Sequence, residues 1–60
     1  MPYINVKLAG SLTKEQKKEI AKEITDTMQR IAHKPPSYTY IVFDEVKTED
    51  WAIAGQLLGG

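Results

Sequence analysis

Cysteine is absent from the 60-residue sequence, and histidine, tryptophan and phenylalanine each occur once. Without cysteine the chain has neither disulfides nor thiolate metal ligands, and His33 alone does not make a zinc site. We therefore expect no metal or other cofactor. A chain this short buries only about 60% of the surface that its unfolded form exposes. Because disulfides and metals are not available to stabilise it, self-association into a homo-oligomer is expected.

Long apolar runs and an excess of either charge are also absent. Eight acidic residues balance eight basic ones, which argues against nucleic acid or an anionic membrane surface as a partner. No apolar stretch approaches the roughly 18 residues of a membrane-spanning helix, and the amino-terminal residues lack the basic-then-apolar order of a signal peptide. The sequence therefore predicts a single domain over residues 1–60 that is soluble and cytoplasmic.

Periodic apolar residues predict a strand followed by a helix. Between Tyr3 and Leu8, apolar and polar residues alternate, which is typical of a strand with one buried face. Thr13 and Gln16 have the spacing of a capping box, so a helix is predicted to begin at about Lys14. Its apolar residues recur every three or four positions along one stripe, at Ile20, Ile24, Met28 and Ile31.

The segment after the helix is predicted to contain a second strand and a short tail. Pro35 and Pro36 cannot continue a helix, which should therefore end near His33. Residues 38–46 are rich in strand-forming side chains, and both alternating sets are largely apolar, so this strand should be buried on both faces. Residues 51–58 are too few for a stable helix and are expected to form a turn or small hairpin.

These elements predict an α/β fold built from a single β-α-β unit with parallel strands and a short C-terminal β-hairpin or tail. A right-handed crossover places the helix on one face of the two-stranded sheet and leaves the other face bare. Two strands are marginally stable alone, and the apolar faces of residues 38–46 require a second layer that one chain does not contain. We therefore expect the fold to be completed by oligomerisation.

Pro2 is the strongest candidate for a catalytic group. Proline directly after the initiator Met1 favours methionine removal, which would leave a secondary amine at the terminus. Ordinary α-amino groups have a pKa of about 7.7 to 8.0, and burial in an apolar pocket lowers it. The result would be a base poised near neutral pH, although proline also follows methionine in proteins where it has no function. His33 fits a surface position near a helix end, and the adjacent Asp44 and Glu45 should point to opposite faces of a strand.

Five segments give the chain a resemblance to a known family. They read PYINV (2–6), TKEQK (13–17), KPP (34–36), YTYIVFDEV (38–46) and WAIAG (51–55). Together they resemble the 4-oxalocrotonate tautomerase family over nearly the whole chain. The resemblance implies β-α-β subunits that assemble as dimers and commonly as hexamers. It also implies an isomerase in which Pro2 transfers a proton during keto–enol tautomerisation of a 2-oxo acid or its enol.

The resemblance also implies a substrate-binding site. Leu12 and Tyr40 occupy the positions where the best-known members carry substrate-binding arginines, and Trp51 matches the aromatic residue that lines the pocket. Loss of both arginines favours a substrate with one carboxylate over a doubly charged one. The Tyr40 hydroxyl is a donor for a developing enolate, although Tyr40 and Trp51 are also interpretable as packing residues. Ala52 and Ala54 replace glycines that the family tends to have, which costs energy if φ is positive there.

Several interpretations stay open at the level of sequence. The cation that holds the substrate carboxylate is a choice among Arg30, Lys7 and Lys34 of a neighbouring subunit. The Pro2 amine would also serve a hydratase or dehalogenase that acts on an unsaturated acid, but those reactions need carboxylate-holding cations as well, and this alternative ranks below tautomerisation. A different interpretation is a non-catalytic oligomeric interaction module whose pocket is filled by the three substrate-binding candidates. Retention of Met1 would favour the module, because an acylated proline nitrogen is not basic.

Overall fold

The computed structural model describes residues 1–59 and contains a β-α-β unit followed by a short hairpin. Strand β1 (Tyr3–Ala9), helix α1 (Lys14–Ala32) and strand β2 (Tyr40–Val46) form the unit, and strands β3 (Ala52–Ile53) and β4 (Gln56–Leu57) form the hairpin. β1 and β2 are parallel, with Tyr3 opposite Tyr40 and Ala9 opposite Val46, and β3 and β4 are antiparallel. The predicted α/β fold class is confirmed.

Helix α1 begins at the predicted residue because its capping box forms. Thr13 Oγ1 accepts a hydrogen bond from Gln16 N at 3.1 Å, and Gln16 Oε1 accepts one from Thr13 N at 2.9 Å, which satisfies two amides at the helix start. The helix ends at Ala32, and His33 follows in the left-handed conformation with φ 57°. Such a residue turns the chain away from the helix and allows its last carbonyls to be capped. Within residues 1–59, no helix has the length and apolarity needed to cross a membrane.

The second strand starts later than predicted. Residues Pro36–Tyr38 form a 3₁₀ turn, in which Tyr38 N donates to Pro35 O at 3.0 Å and Thr39 N donates to Pro36 O at 3.2 Å. Those two amides are engaged in the turn and not in a β-ladder, although tyrosine and threonine favour strands. The prediction that Tyr38 and Thr39 belong to the strand is therefore wrong, because the turn that follows the two prolines sets the local backbone.

One face of the sheet is covered by α1 and the other is bare. The side chains that face α1, such as Ile4 and Phe43, are half-buried, and none of residues 1–59 is fully buried. On the opposite face Tyr3, Tyr40 and Val42 are 63%, 53% and 44% exposed. A single chain therefore does not bury β2 on both faces. Burial of this bare face, which is defined by those three residues, requires a second layer.

The tail contains the small hairpin that the sequence predicts. Ala54 and Gly55 connect β3 to β4 and both have positive φ, 53° and 81°, as a type I′ turn requires. Leu58 N donates to Trp51 O at 2.8 Å and closes the hairpin at its base. Ala52 lies in β3 and does not have positive φ. Of the two alanines, only Ala54 therefore occupies a position that favours glycine.

Ala54→Gly is expected to stabilise the protein, and Ala52→Gly to destabilise it. A left-handed alanine costs roughly 1–2 kcal/mol, and part of the gain is lost because glycine makes the unfolded chain more flexible. We expect Ala54→Gly to raise the free energy of unfolding by about 0.5–1 kcal/mol. The same change at Ala52 relieves no strain and should lower it by about as much. Thermal denaturation at equal chain concentration compares the two variants, and shifts of the same sign would contradict the assignment.

Candidate active site

Pro2 and Tyr40 lie together at one end of the parallel sheet. Tyr40 N donates a hydrogen bond to Pro2 O at 3.0 Å, beside the first residue pair of the ladder. This bond uses the carbonyl of Pro2 and does not involve its nitrogen. Met1, which acylates that nitrogen, is 87% exposed, and Pro2 itself is half-buried. Two of the four site residues predicted from sequence are thus neighbours within one chain.

Leu12 and Trp51 lie at the opposite end of the sheet. Leu12 follows β1, and its amide donates to Glu45 Oε2, near the end of β2, at 2.7 Å. Trp51 follows β2 after a 3₁₀ turn at Thr48–Asp50. Because both strands run in the same direction and rise about 3.3 Å per residue, the two ends are about 20 Å apart. One chain therefore does not bring Pro2 next to Leu12 or Trp51.

An open cleft of about 360 Å³ lies at the Trp51 end and is lined by Lys7, Val46, Asp50, Trp51 and Ala52. Lys7 Nζ is 3.4 Å from Asp44 Oδ2, and the two side chains are 55% and 46% exposed. An ion pair this exposed is weak, so Lys7 is available to an anionic ligand in the cleft that it lines with Trp51. Arg30 and Lys34, the other two cations considered from sequence, are not among the lining residues.

Glu45 connects the loop between β1 and α1 to the end of β2. Its Oε2 accepts the Leu12 amide, and its Oε1 is 3.1 Å from Lys17 Nζ of α1. Two hydrogen bonds lower the pKa of Glu45 below its ordinary value. The one from the Leu12 amide has the larger effect, and the one from Lys17 has the next largest. The side chain is therefore a carboxylate at neutral pH and not a proton donor.

Asp44 and Glu45 point to opposite faces, as their adjacency predicts. Asp44 contacts Lys7 on the bare face, whereas Glu45 contacts Lys17 on the side of α1. Within the described residues, 1–59, no group of three acidic or histidine side chains is placed to hold a metal ion. No structural role for Glu45 was predicted from the sequence. The alternation of side chains along β2 could have indicated one, because Glu45 lies opposite Leu8 on the face toward α1.

Comparisons with known proteins agree with one another. A family model described as "Tautomerase enzyme" matches residues 2–60. A probable tautomerase, RSp1151 from Ralstonia nicotianae, is 39% identical over 59 residues, which cover 98% of this chain and 91% of the relative. The structure of a 4-oxalocrotonate tautomerase isozyme from Methylibium petroleiphilum aligns with TM-score 0.88 and 29% identity over 97% of this chain and 91% of that one. A chain of a heterohexameric 4-oxalocrotonate tautomerase from Chloroflexus aurantiacus shares the fold, with TM-score 0.86 and 19% identity over 98% and 95% of the two chains.

Proposed function

The chain belongs to the tautomerase family, and on that premise we propose that it catalyses keto–enol tautomerisation of a 2-oxo acid or its enol. Pro2 is the acid–base group, acting through its secondary amine after removal of Met1. The observation that carries the proposal is the hydrogen bond from Tyr40 N to Pro2 O. It holds residue 2 through its carbonyl and leaves its nitrogen available for chemistry. Because Met1 is exposed, the bond between Met1 and Pro2 is accessible to an aminopeptidase.

The proposed reaction moves a proton between two positions of the substrate. The neutral amine of Pro2 takes a proton from carbon or oxygen, and the resulting ammonium returns a proton at the other position. An α-amino group has a pKa of about 7.7 to 8.0 in water, and apolar surroundings lower it toward neutral pH, where a general base works best. The Tyr40 hydroxyl is the proposed donor to the negative charge that develops on the enolate oxygen.

The proposed site requires more than one copy of the chain. Pro2 and Tyr40 lie about 20 Å along the strands from Leu12 and Trp51. A two-fold axis perpendicular to the strands reverses their direction, so it brings the Pro2 end of one chain to the Trp51 end of its partner. Trp51 of the partner subunit then supplies an apolar wall beside the amine. The exposed bare face offers a surface for association, and the Chloroflexus protein with this fold is itself a heterohexamer.

A substrate with one carboxylate fits the charges of the cleft. Lys7 supplies one positive charge beside Trp51, and Asp50 lines the same cleft. Asp44 lies 3.4 Å from the Lys7 ammonium. One substrate carboxylate can replace Asp44 as the partner of Lys7, whereas a second carboxylate would meet two negative side chains, and Lys7 is the one cation among the residues that line this cleft. We therefore assign Lys7 the carboxylate-holding role for which the sequence alone left three candidates.

Lys7→Met is expected to raise KM about tenfold and to leave kcat nearly unchanged. The substitution keeps most of the aliphatic stem and removes a charged hydrogen bond to the carboxylate, a contact worth about 1.5–3 kcal/mol. The contact exists before and during the reaction, so its loss weakens binding and not the chemical step. Steady-state kinetics of a monocarboxylate enol measure the effect. Lys18→Met, on the exposed side of α1, is the matched control, and equal KM values for the two variants would contradict the role of Lys7.

The test of the proposed function is ketonisation of an aryl enolpyruvate, followed by ultraviolet absorbance. The protein is used only after its intact mass has shown the loss of Met1. A rate well above that of buffer is the expected result. Absence of any rate from correctly processed protein would favour the non-catalytic interaction module. Halide release from a halogenated unsaturated acid, without ketonisation, would identify a dehalogenase instead.

A further inference from the structure

We infer that Glu45 is a positioning residue of the active site, which fixes the loop between β1 and α1 and thereby the place of the Leu12 side chain at the substrate. The inference rests on the proposed function, in which the end of one chain that carries Leu12 and Trp51 meets the Pro2 end of its partner; in the single chain Leu12 does not itself line the Trp51 cleft. Its basis is a pair of contacts that join three elements. Glu45 belongs to β2, its Oε2 accepts the Leu12 amide at 2.7 Å, and its Oε1 binds Lys17 of α1 at 3.1 Å.

The loop is held on both sides of its central residue. Gly10 N donates to Val46 O at 3.0 Å, and Leu12 N donates to the side chain of Glu45. Consecutive residues of β2 thus bind alternate residues of the loop, with Ser11 between them. After Leu12 the chain enters the capping box of α1. The position of Leu12 is therefore determined by β2 on one side and by the helix start on the other.

Of the two contacts that hold the loop, only the one with Glu45 involves a side chain and can be removed by substitution. A hydrogen bond to an ionised carboxylate is about twice as strong as one between neutral groups, whereas the partly exposed ion pair with Lys17 adds little to it. Without the carboxylate, the Leu12 amide is solvated by water and the loop gains freedom. The apolar side chain of Leu12 contacts ground state and transition state alike, so the expected loss is mainly in KM.

Three variants separate hydrogen bonding from charge. Glu45→Ala removes the acceptor and is expected to raise KM about three- to tenfold while kcat changes less than twofold. Glu45→Gln keeps an oxygen that accepts the Leu12 amide and should restore KM to within about twofold of the parent protein. Lys17→Met removes only the ion pair and should resemble Glu45→Gln. A normal KM in Glu45→Ala would overturn the inference, and so would a Gln variant as impaired as the Ala variant.

The contact itself is observable without substrate. In the parent protein, the amide proton of Leu12 should shift in NMR spectra as Glu45 titrates, with a midpoint below the ordinary glutamate pKa because the Leu12 amide and Lys17 lower it. Lys17 is the charged group in contact with Glu45, and the facing residue of β1 is the uncharged Leu8. The shift should vanish in Glu45→Gln. The Gly10 amide, which donates to a backbone carbonyl, is the internal control and should not follow this titration.

The two experiments distinguish failure of the inference from failure of the proposed function. An active parent protein whose Leu12 amide titrates, with unchanged KM in Glu45→Ala, would overturn the positioning role alone. An active parent whose Leu12 amide does not respond to Glu45 would overturn the contact. A processed parent without tautomerase activity would overturn the proposed function, and the positioning role with it, even if the Leu12 amide titrates normally.

Discussion

Pro2→Ala is expected to lower kcat/KM for ketonisation by at least about 100-fold, the lower end of what a positioned acid–base group contributes. Alanine leaves a primary amine that rotates freely about its N–Cα bond, so its lone pair is no longer held in one direction by the pyrrolidine ring. The fold should persist, because Tyr40 N donates to the carbonyl of residue 2, which alanine retains. The measurement is the rate of aryl enolpyruvate ketonisation by variant and parent proteins that have both lost Met1.

Pro36→Ala is the matched control for this experiment. It makes the same chemical change in the 3₁₀ turn of residues 36–38, and we expect its kcat/KM to remain within about twofold of the parent value. Circular dichroism and sedimentation verify that both variants keep the parent fold and assembly. Undiminished activity in Pro2→Ala, or activity in protein that still carries Met1, would remove Pro2 from the mechanism.

Val42→Asp is expected to abolish assembly and to unfold most of the protein at micromolar concentration. Val42 is 44% exposed in the single chain and lies in β2 opposite Asn5, on the bare face that should be covered in the oligomer. An unpaired carboxylate within such an interface costs several kcal/mol, which is a large part of the stability of any small domain. Analytical ultracentrifugation and circular dichroism measure association and folding together.

Thr27→Asp provides the matched control for Val42→Asp. Threonine is also β-branched, and Thr27 is exposed on α1, so this variant adds the same charge to a surface that stays in water. We expect it to assemble like the parent protein, with a change in stability of about 0.5 kcal/mol or less. A Val42→Asp variant that assembles as well as Thr27→Asp would show that the bare face is not the contact between copies.

Local patterns predicted the first strand and the helix because their determinants are local. The alternation after Pro2 and the spacing of Thr13 and Gln16 each specify a structure within a few residues. Tyr38 was assigned to the wrong element, and the reason is also local in sequence. Its propensity favours a strand, but its amide is bound by Pro35 O within the turn, and such backbone bonds outweigh a weak propensity.

The candidate site was harder to predict because, in the proposed oligomer, its parts come together only through other copies of the chain. The sequence and the family resemblance identified Pro2, Tyr40, Leu12 and Trp51 as one set. The parallel ladder divides them into two pairs at opposite ends of the sheet, and no pattern within one chain describes how copies meet. Lys7 was one of three candidates for the cation that holds the carboxylate. The structure places it in one cleft with Trp51, and this depends on the path of the chain after β2, which no local pattern predicts.

In the proposed mechanism, the placement of Pro2 and Trp51 at opposite ends of the sheet makes catalysis depend on contact between copies of the chain. A newly made subunit would carry both halves of a site, yet it would have no complete site until it met another copy. On that proposal, a lone subunit transfers no proton, and the fraction of complete sites is expected to rise with the concentration of the protein. The amount of protein that is made would then control the activity without a bound effector.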